Sequence, residues 1–117
     1  MIPVVTREDI LRQRDTNPGL TLVEALDPML YAAVHLPGAV NVPPDSIDAA
    51  AAAALPDKNA AIVVYCASHT CASSHRVAER LIQLGYTRIA HYQNGKQDWI
   101  AAGLPVEYGR AGAAVSR

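Results

Sequence analysis

Apolar positions along the chain fall into short, β-branched runs that alternate with segments of helical period. Leu20 to Glu24, Ala39 to Val42, Ile62 to Tyr65 and Arg88 to Tyr92 read as strands bounded by turn-forming residues. Thr6 is placed to cap a first helix, with Glu8 and Asp9 in its first turn and Ile10 and Leu11 turning inward; Asn17-Pro18-Gly19 ends it. Pro28 opens a helical turn over Met29, Leu30 and Tyr31, and Asp45 or Ser46 caps a helix through the alanine run Ala49 to Ala54. From Ser74 onward Val77, Ala78, Leu81 and Leu84 recur at helical spacing until Gly85. A last helix runs from about Lys96 to Ala102, with Trp99 on its apolar side, Ile100 and Leu104 nearby, and Gly103 and Pro105 closing it. Strands alternating with helices predict an α/β fold around a mainly parallel sheet with helices on both faces.

A chain of 117 residues that is 50% hydrophobic is expected to make one globular domain. The domain is assigned to residues 1–108, with the small and polar residues 109–117 as a flexible tail. Lys and Arg together number 10 against 11 for Asp and Glu, so charge gives no argument for nucleic acid or an anionic membrane. No apolar stretch is long enough to span a bilayer, and the opening MIPVVTREDILRQRD lacks the basic start and long apolar core of a signal peptide. Two cysteines five positions apart do not form a secreted disulfide framework. A cytoplasmic location is therefore expected, with no nucleic-acid or membrane partner.

The candidate chemistry lies between Ile62 and Tyr86, where an apolar strand runs through a short polar loop into a helix. Cys66 heads that loop. Inward-facing loop amides and the positive end of the helix dipole favour a thiolate there, and the same amides suit a charged leaving group or an oxidised sulfur. In parallel sheets, ligands gather at the carboxyl ends of strands, which is where Cys66 falls. Ala67, Ser68, His69, Thr70, Cys71, Ala72 and Ser73 are expected to form the substrate-binding loop, with Ser68, Thr70 and Ser73 supplying hydroxyl donors.

Four segments occur in a fixed order: HLPGAVNVP from His35, Cys66 after its apolar strand, LGY at Leu84 to Tyr86, and NGKQDWIAAGLPV from Asn94. Together they resemble the rhodanese family of sulfurtransferases in its single-domain form, from about Val4 to Val106. The resemblance implies a central parallel sheet flanked by helices, and a Cys66 that carries a sulfane sulfur as a persulfide. It further implies a small sulfur donor such as thiosulfate, a thiol or other nucleophilic acceptor, and no cofactor. His35, Gly38 and Gly95 belong to motif segments to which the resemblance gives structural roles. Lys96 borders the expected pocket; a solvated surface lysine is the favoured reading, and a cation facing the pocket is the other.

Three departures from the family pattern bear on specificity. The usual Asp-x-Arg signature is Glu24-Ala25-Leu26, so the acid is approximately kept and the arginine lost. Cys71 stands where an arginine usually closes the loop, and the interval to Gly85-Tyr86 is about two residues longer than in the common pattern. The missing arginine also counts against a cysteine phosphatase, which clamps phosphate with a guanidinium; Arg76 falls inside the following helix.

Cys71 carries two readings: a resolving thiol that forms a disulfide with Cys66, or a residue packed under the loop. His69 and His75 raise a zinc alternative with the two cysteines, although the crowded spacing is unlike paired knuckles, and no metal is expected. His69 beside the thiolate would lower its pKa. Two further functional readings remain, a non-enzymatic sulfur- or redox-sensing module and a thiol-disulfide oxidoreductase using Cys66 and Cys71. The retained Cys66 favours the enzyme.

Overall fold

The computed structural model describes residues 2–109. Its strands β1 (Thr21–Glu24), β2 (Val40–Asn41), β3 (Ile62–Tyr65) and β4 (Ile89–Tyr92) form one parallel sheet in the order β2-β1-β3-β4. Helices α1 (Arg7–Thr16), α2 (Pro28–Ala33), α3 (Ile47–Ala54), α4 (Ser73–Gln83) and α5 (Gly95–Ala101) complete the α/β fold. Among these residues no helix is long and apolar enough to cross a membrane.

Period-two alternation along the strands builds two cores. Ile62, Val64 and Cys66 join Val23, Val77, Ala78 and Leu81 on the face covered by α3 and α4. Val63 and Tyr65 join Ile10, Leu22, Tyr31, Tyr92 and Trp99 on the other. The chain leaves β1 for β2 on one side and returns to β3 on the other, so the switch point lies between the carboxyl ends of β1 and β3.

Local chemistry explains most boundaries. Thr6 caps α1 through a capping box with Asp9, and Asp27 caps α2 with Pro28 at its first position. Ser46, not Asp45, holds the N-cap position of α3, without a side-chain cap bond. β2 is confined to Val40–Asn41 because Pro43 and Pro44 follow closely.

Several expectations need correction. Leu11 is exposed, since one helical step beyond Ile10 already points off the sheet. Ser73 is the first residue of α4, so the loop covers 66–72, and α5 begins at Gly95. Of the expected tail, Gly109 donates its amide to the Ala32 carbonyl at 2.7 Å; residues 110–117 lie outside the described chain.

Candidate active site

Cys66 follows β3 at the carboxyl edge of the sheet, and its side chain is 1% exposed. Its carbonyl accepts from the Lys96 amide at 2.8 Å, and the Ala67 carbonyl accepts from the Gln97 amide at 2.9 Å, so the start of α5 is stitched to the start of the loop. That close approach requires Gly95. Its φ is +75°, and a Cβ there would lie 2.7 Å from the Cys66 oxygen and 2.9 Å from the Ser68 nitrogen.

The loop turns back on itself. The Cys71 amide donates to the Ser68 carbonyl at 3.1 Å, and the Ser68 and Thr70 hydroxyls pair at 3.0 Å. This brings the Cα atoms of Cys66 and Cys71 to 6.4 Å, and the two sulfurs form a disulfide. Ala72 at the N-cap of α4 offers no side-chain acceptor, so the first-turn amides of that helix have no side-chain cap. The helix thus presents an uncapped positive end beside Cys66.

One further side chain reaches the sulfur, and a second stands behind it. Ser74, on the first turn of α4, is buried with its Oγ 3.3 Å from Cys66 Sγ, and the same Oγ lies 2.6 Å from His91 Nε2. Burial, with a smaller contribution from His75, holds the His91 imidazole below its ordinary value of 6.5. Neither Ser74 nor His91 was legible as functional from motif spacing. The signal was nevertheless present: Ile89 and His91 share one face of β4, and the parallel register sets His91 against Val64, two residues before Cys66 on the same face.

Residues 6–102 of the chain match the Rhodanese-like domain family. The chain belongs to that family. The HTH-type transcriptional regulator Rv0324 of Mycobacterium tuberculosis is 31% identical over 105 residues, covering 90% of this chain and 45% of the relative. The thiosulfate sulfurtransferase PspE of Escherichia coli is 36% identical over 62 residues, covering 53% of this chain and 58% of the relative. The chain thus spans about half the length of these curated relatives. Among solved structures, the BH2092 protein of Bacillus halodurans superposes with a TM-score of 0.82 at 22% identity, covering 98% of this chain and 85% of that one, a likeness of fold.

This rhodanese-like domain places its other motif residues as follows. His35 is buried, stacks on Tyr31 with ring centroids 3.9 Å apart, and pairs Nδ1 with the Tyr31 carbonyl at 2.8 Å. Gly38 turns the chain between Leu36 and β2 with φ +76°. The favoured reading of Lys96 as a solvated lysine is overturned. Lys96 is buried, and its Nζ donates to Glu24 Oε2 at 2.8 Å and to the Val34 carbonyl at 2.7 Å. Glu24, on β1, also accepts from the Tyr65 hydroxyl at 2.8 Å. Burial pushes the Glu24 carboxyl up, while Lys96 and Tyr65 pull it back. Leu26, which stands where the family pattern has an arginine, packs in the core.

The loop divides by exposure. His69, Thr70 and Ala72 are exposed, and Ala67, Ser68, Cys71 and Ser73 are partly buried. His69, His75 and His91 line one cleft with Cys71, of about 410 Å³. Ser73 lines a separate recess of about 320 Å³ with Leu26, Leu30, Pro43 and Pro44. Arg76 donates to the Pro44 carbonyl at 3.3 Å. Among the described residues no group of three or more His, Cys, Asp and Glu side chains is placed to hold a metal ion.

Proposed function

We propose that this rhodanese-like domain is a sulfurtransferase that moves a sulfane sulfur through a persulfide on Cys66. The observation that carries the reading is the position of Cys66 Sγ, at the carboxyl end of β3 and beside the uncapped first turn of α4. In the reduced protein the Cys66 thiolate attacks the outer sulfur of a donor such as thiosulfate; the S–S bond of the donor breaks and sulfite leaves with its electron pair. An acceptor thiolate then takes the terminal sulfur and restores Cys66 as a thiolate. The transfer is thereby divided into two displacements at sulfur. Helix-terminal and loop amides favour the anionic forms of Cys66.

Cys71 supplies a competing exit. Its thiolate attacks the Cys66 sulfur of the persulfide, forms the Cys66–Cys71 bridge and releases hydrosulfide. The 6.4 Å Cα separation supports this step.

Intact-mass measurement of the reduced protein after thiosulfate treatment tests the reading. One added sulfur is expected, lost in Cys66→Ser and removed by an acceptor thiol. A reduced protein that gains no sulfur from thiosulfate or polysulfide overturns it.

A second reading is a sulfur- or redox-sensing module. It is favoured by the cysteine bridge and by similarity over 90% of this chain to part of a transcriptional regulator. Slow loading without turnover is the result that selects it.

A further inference from the structure

The two sulfurs of the Cys66–Cys71 bridge differ in access. Cys66 is sealed in the core among Val64, Val77 and Ala78, whereas Cys71 is partly buried and lines the cleft of about 410 Å³ with His69, His75 and His91. In the oxidised protein an external nucleophile therefore has one sulfur of the bridge within reach, whereas donor and acceptor meet Cys66 in the reduced form. Thiol–disulfide exchange also depends on how well the departing thiolate is stabilised, and a buried thiolate has no water to do so. At Cys66 the polar groups on the buried side are the Ser74 hydroxyl at 3.3 Å and, behind it, His91 Nε2 at 2.6 Å from Ser74 Oγ.

We propose that a small thiol enters this cleft and opens the bridge by attacking Cys71 Sγ, and that the Ser74 hydroxyl, oriented by His91, receives the charge that lands on Cys66. The attacking thiolate forms a mixed disulfide with Cys71. The electron pair of the broken bridge goes to Cys66 Sγ, which departs as a thiolate. A second thiolate then attacks the sulfur of the bound thiol, releasing the Cys71 thiolate and a disulfide of the small thiol. Two thiols are oxidised and the bridge is reduced by two electrons.

The direction of the relay follows from its members. A neutral imidazole carrying its proton on Nε2 donates to Ser74 Oγ, which leaves the hydroxyl hydrogen for the Cys66 sulfur. Ser74 is the group that touches the reacting atom; His91 is a positioning residue. The groups facing His91 are His75 and Ser74 from α4, with Glu79 3.1 Å beyond His75, and His69 and Cys71 from the loop. From the N-terminal segment the apolar Ile2 and Val4 line the cleft, the Pro3 carbonyl accepts from the His91 amide and the Val5 amide donates to the His91 carbonyl. Gln93 also lines the cleft, and Val64 lies in register with His91 on β3. Protonation of His91 makes it a stronger donor to Ser74. The exchange rate per thiolate thus rises as pH falls through the His91 titration.

The proposal goes beyond sulfur transfer, because it concerns how the oxidised protein is opened and requires no sulfur donor. The test treats the oxidised protein with 2-mercaptoethanol, quenches with iodoacetamide and sequences the cysteine peptide by mass spectrometry. Mercaptoethanol on Cys71 with the alkyl group on Cys66 is expected; the reverse placement overturns the entry route. Rates corrected for thiolate concentration are expected to fall about tenfold in Ser74→Ala, as one hydrogen bond to a charged group is lost, and to be kept in Ser74→Thr. His91→Ala is expected to slow exchange and remove the pH inflection, with His91→Gln restoring rate but not inflection. Wild-type rates without an inflection, or a folded Ser74→Ala at the wild-type rate, overturn the relay. Adduct site and pH profile are both read on the unmutated protein, so neither depends on a variant folding. Failure of thiosulfate to load reduced Cys66 would remove the function reading alone.

Discussion

Lys96 Nζ lies 2.8 Å from Glu24 Oε2 with both side chains withdrawn from solvent. The pair joins α5 to the end of β1, and the Tyr65 hydroxyl ties it to β3 while accepting from the Leu36 amide. Removing one member leaves the other charge buried without its partner. Lys96→Met is expected to destabilise the fold by about 3–5 kcal/mol, and Glu24→Gln in the same chain to recover part of that loss. Urea unfolding of the single and double variants measures both; equal stability of Lys96→Met and wild type would contradict the account.

Gly95→Ala forces a Cβ to within 2.7 Å of the Cys66 oxygen at a backbone φ of +75°. The helix start must lift away from the loop. A loss of about 2 kcal/mol or more is expected, together with faster alkylation of Cys66 in the reduced protein as its cover loosens. Chemical denaturation and iodoacetamide kinetics check the two effects.

The Cys66–Cys71 bridge closes a short loop, and the chain entropy it removes from the unfolded state is correspondingly modest. The oxidised protein is expected to exceed the reduced one by about 2 kcal/mol. Denaturation with and without a phosphine reductant gives the difference, which should vanish in Cys71→Ser.

His91 contributes a stability that depends on pH. Its folded pKa is lowered from 6.5 chiefly by burial, so the folded state favours the neutral ring. The contribution is complete above the unfolded value and is lost as pH falls from about 6.5 toward the folded value. Thermal melts across that range should decline more steeply for wild type than for His91→Gln.

Cys71→Ser separates the two fates of a Cys66 persulfide. The adduct from thiosulfate is expected to persist, while hydrosulfide release without an external acceptor falls to background. Intact mass follows the first and a sulfide assay the second. Unchanged sulfide release would assign it to another nucleophile.

Much of the fold was legible in one dimension, because strand and helix periods are local properties of the chain. The run Ile62 to Tyr65 and the spacing of Val77, Ala78 and Leu81 locate β3 and α4, and turn residues such as Pro28 and Gly85 mark their neighbours. Order of motifs carried the family, and the strand-to-helix junction singled out Cys66. What the sequence could not convey was which polar groups meet once the elements pack. Lys96 reads as a surface residue until α5 docks against β1 and delivers its ammonium to Glu24. His91 is one polar residue in an apolar strand until parallel register and the first turn of α4 set it behind Ser74. Sequence alone determined where a thiol would stand at the edge of a parallel sheet. Tertiary structure alone decided what surrounds it, since burial and hydrogen-bond partnership arise between segments distant along the chain.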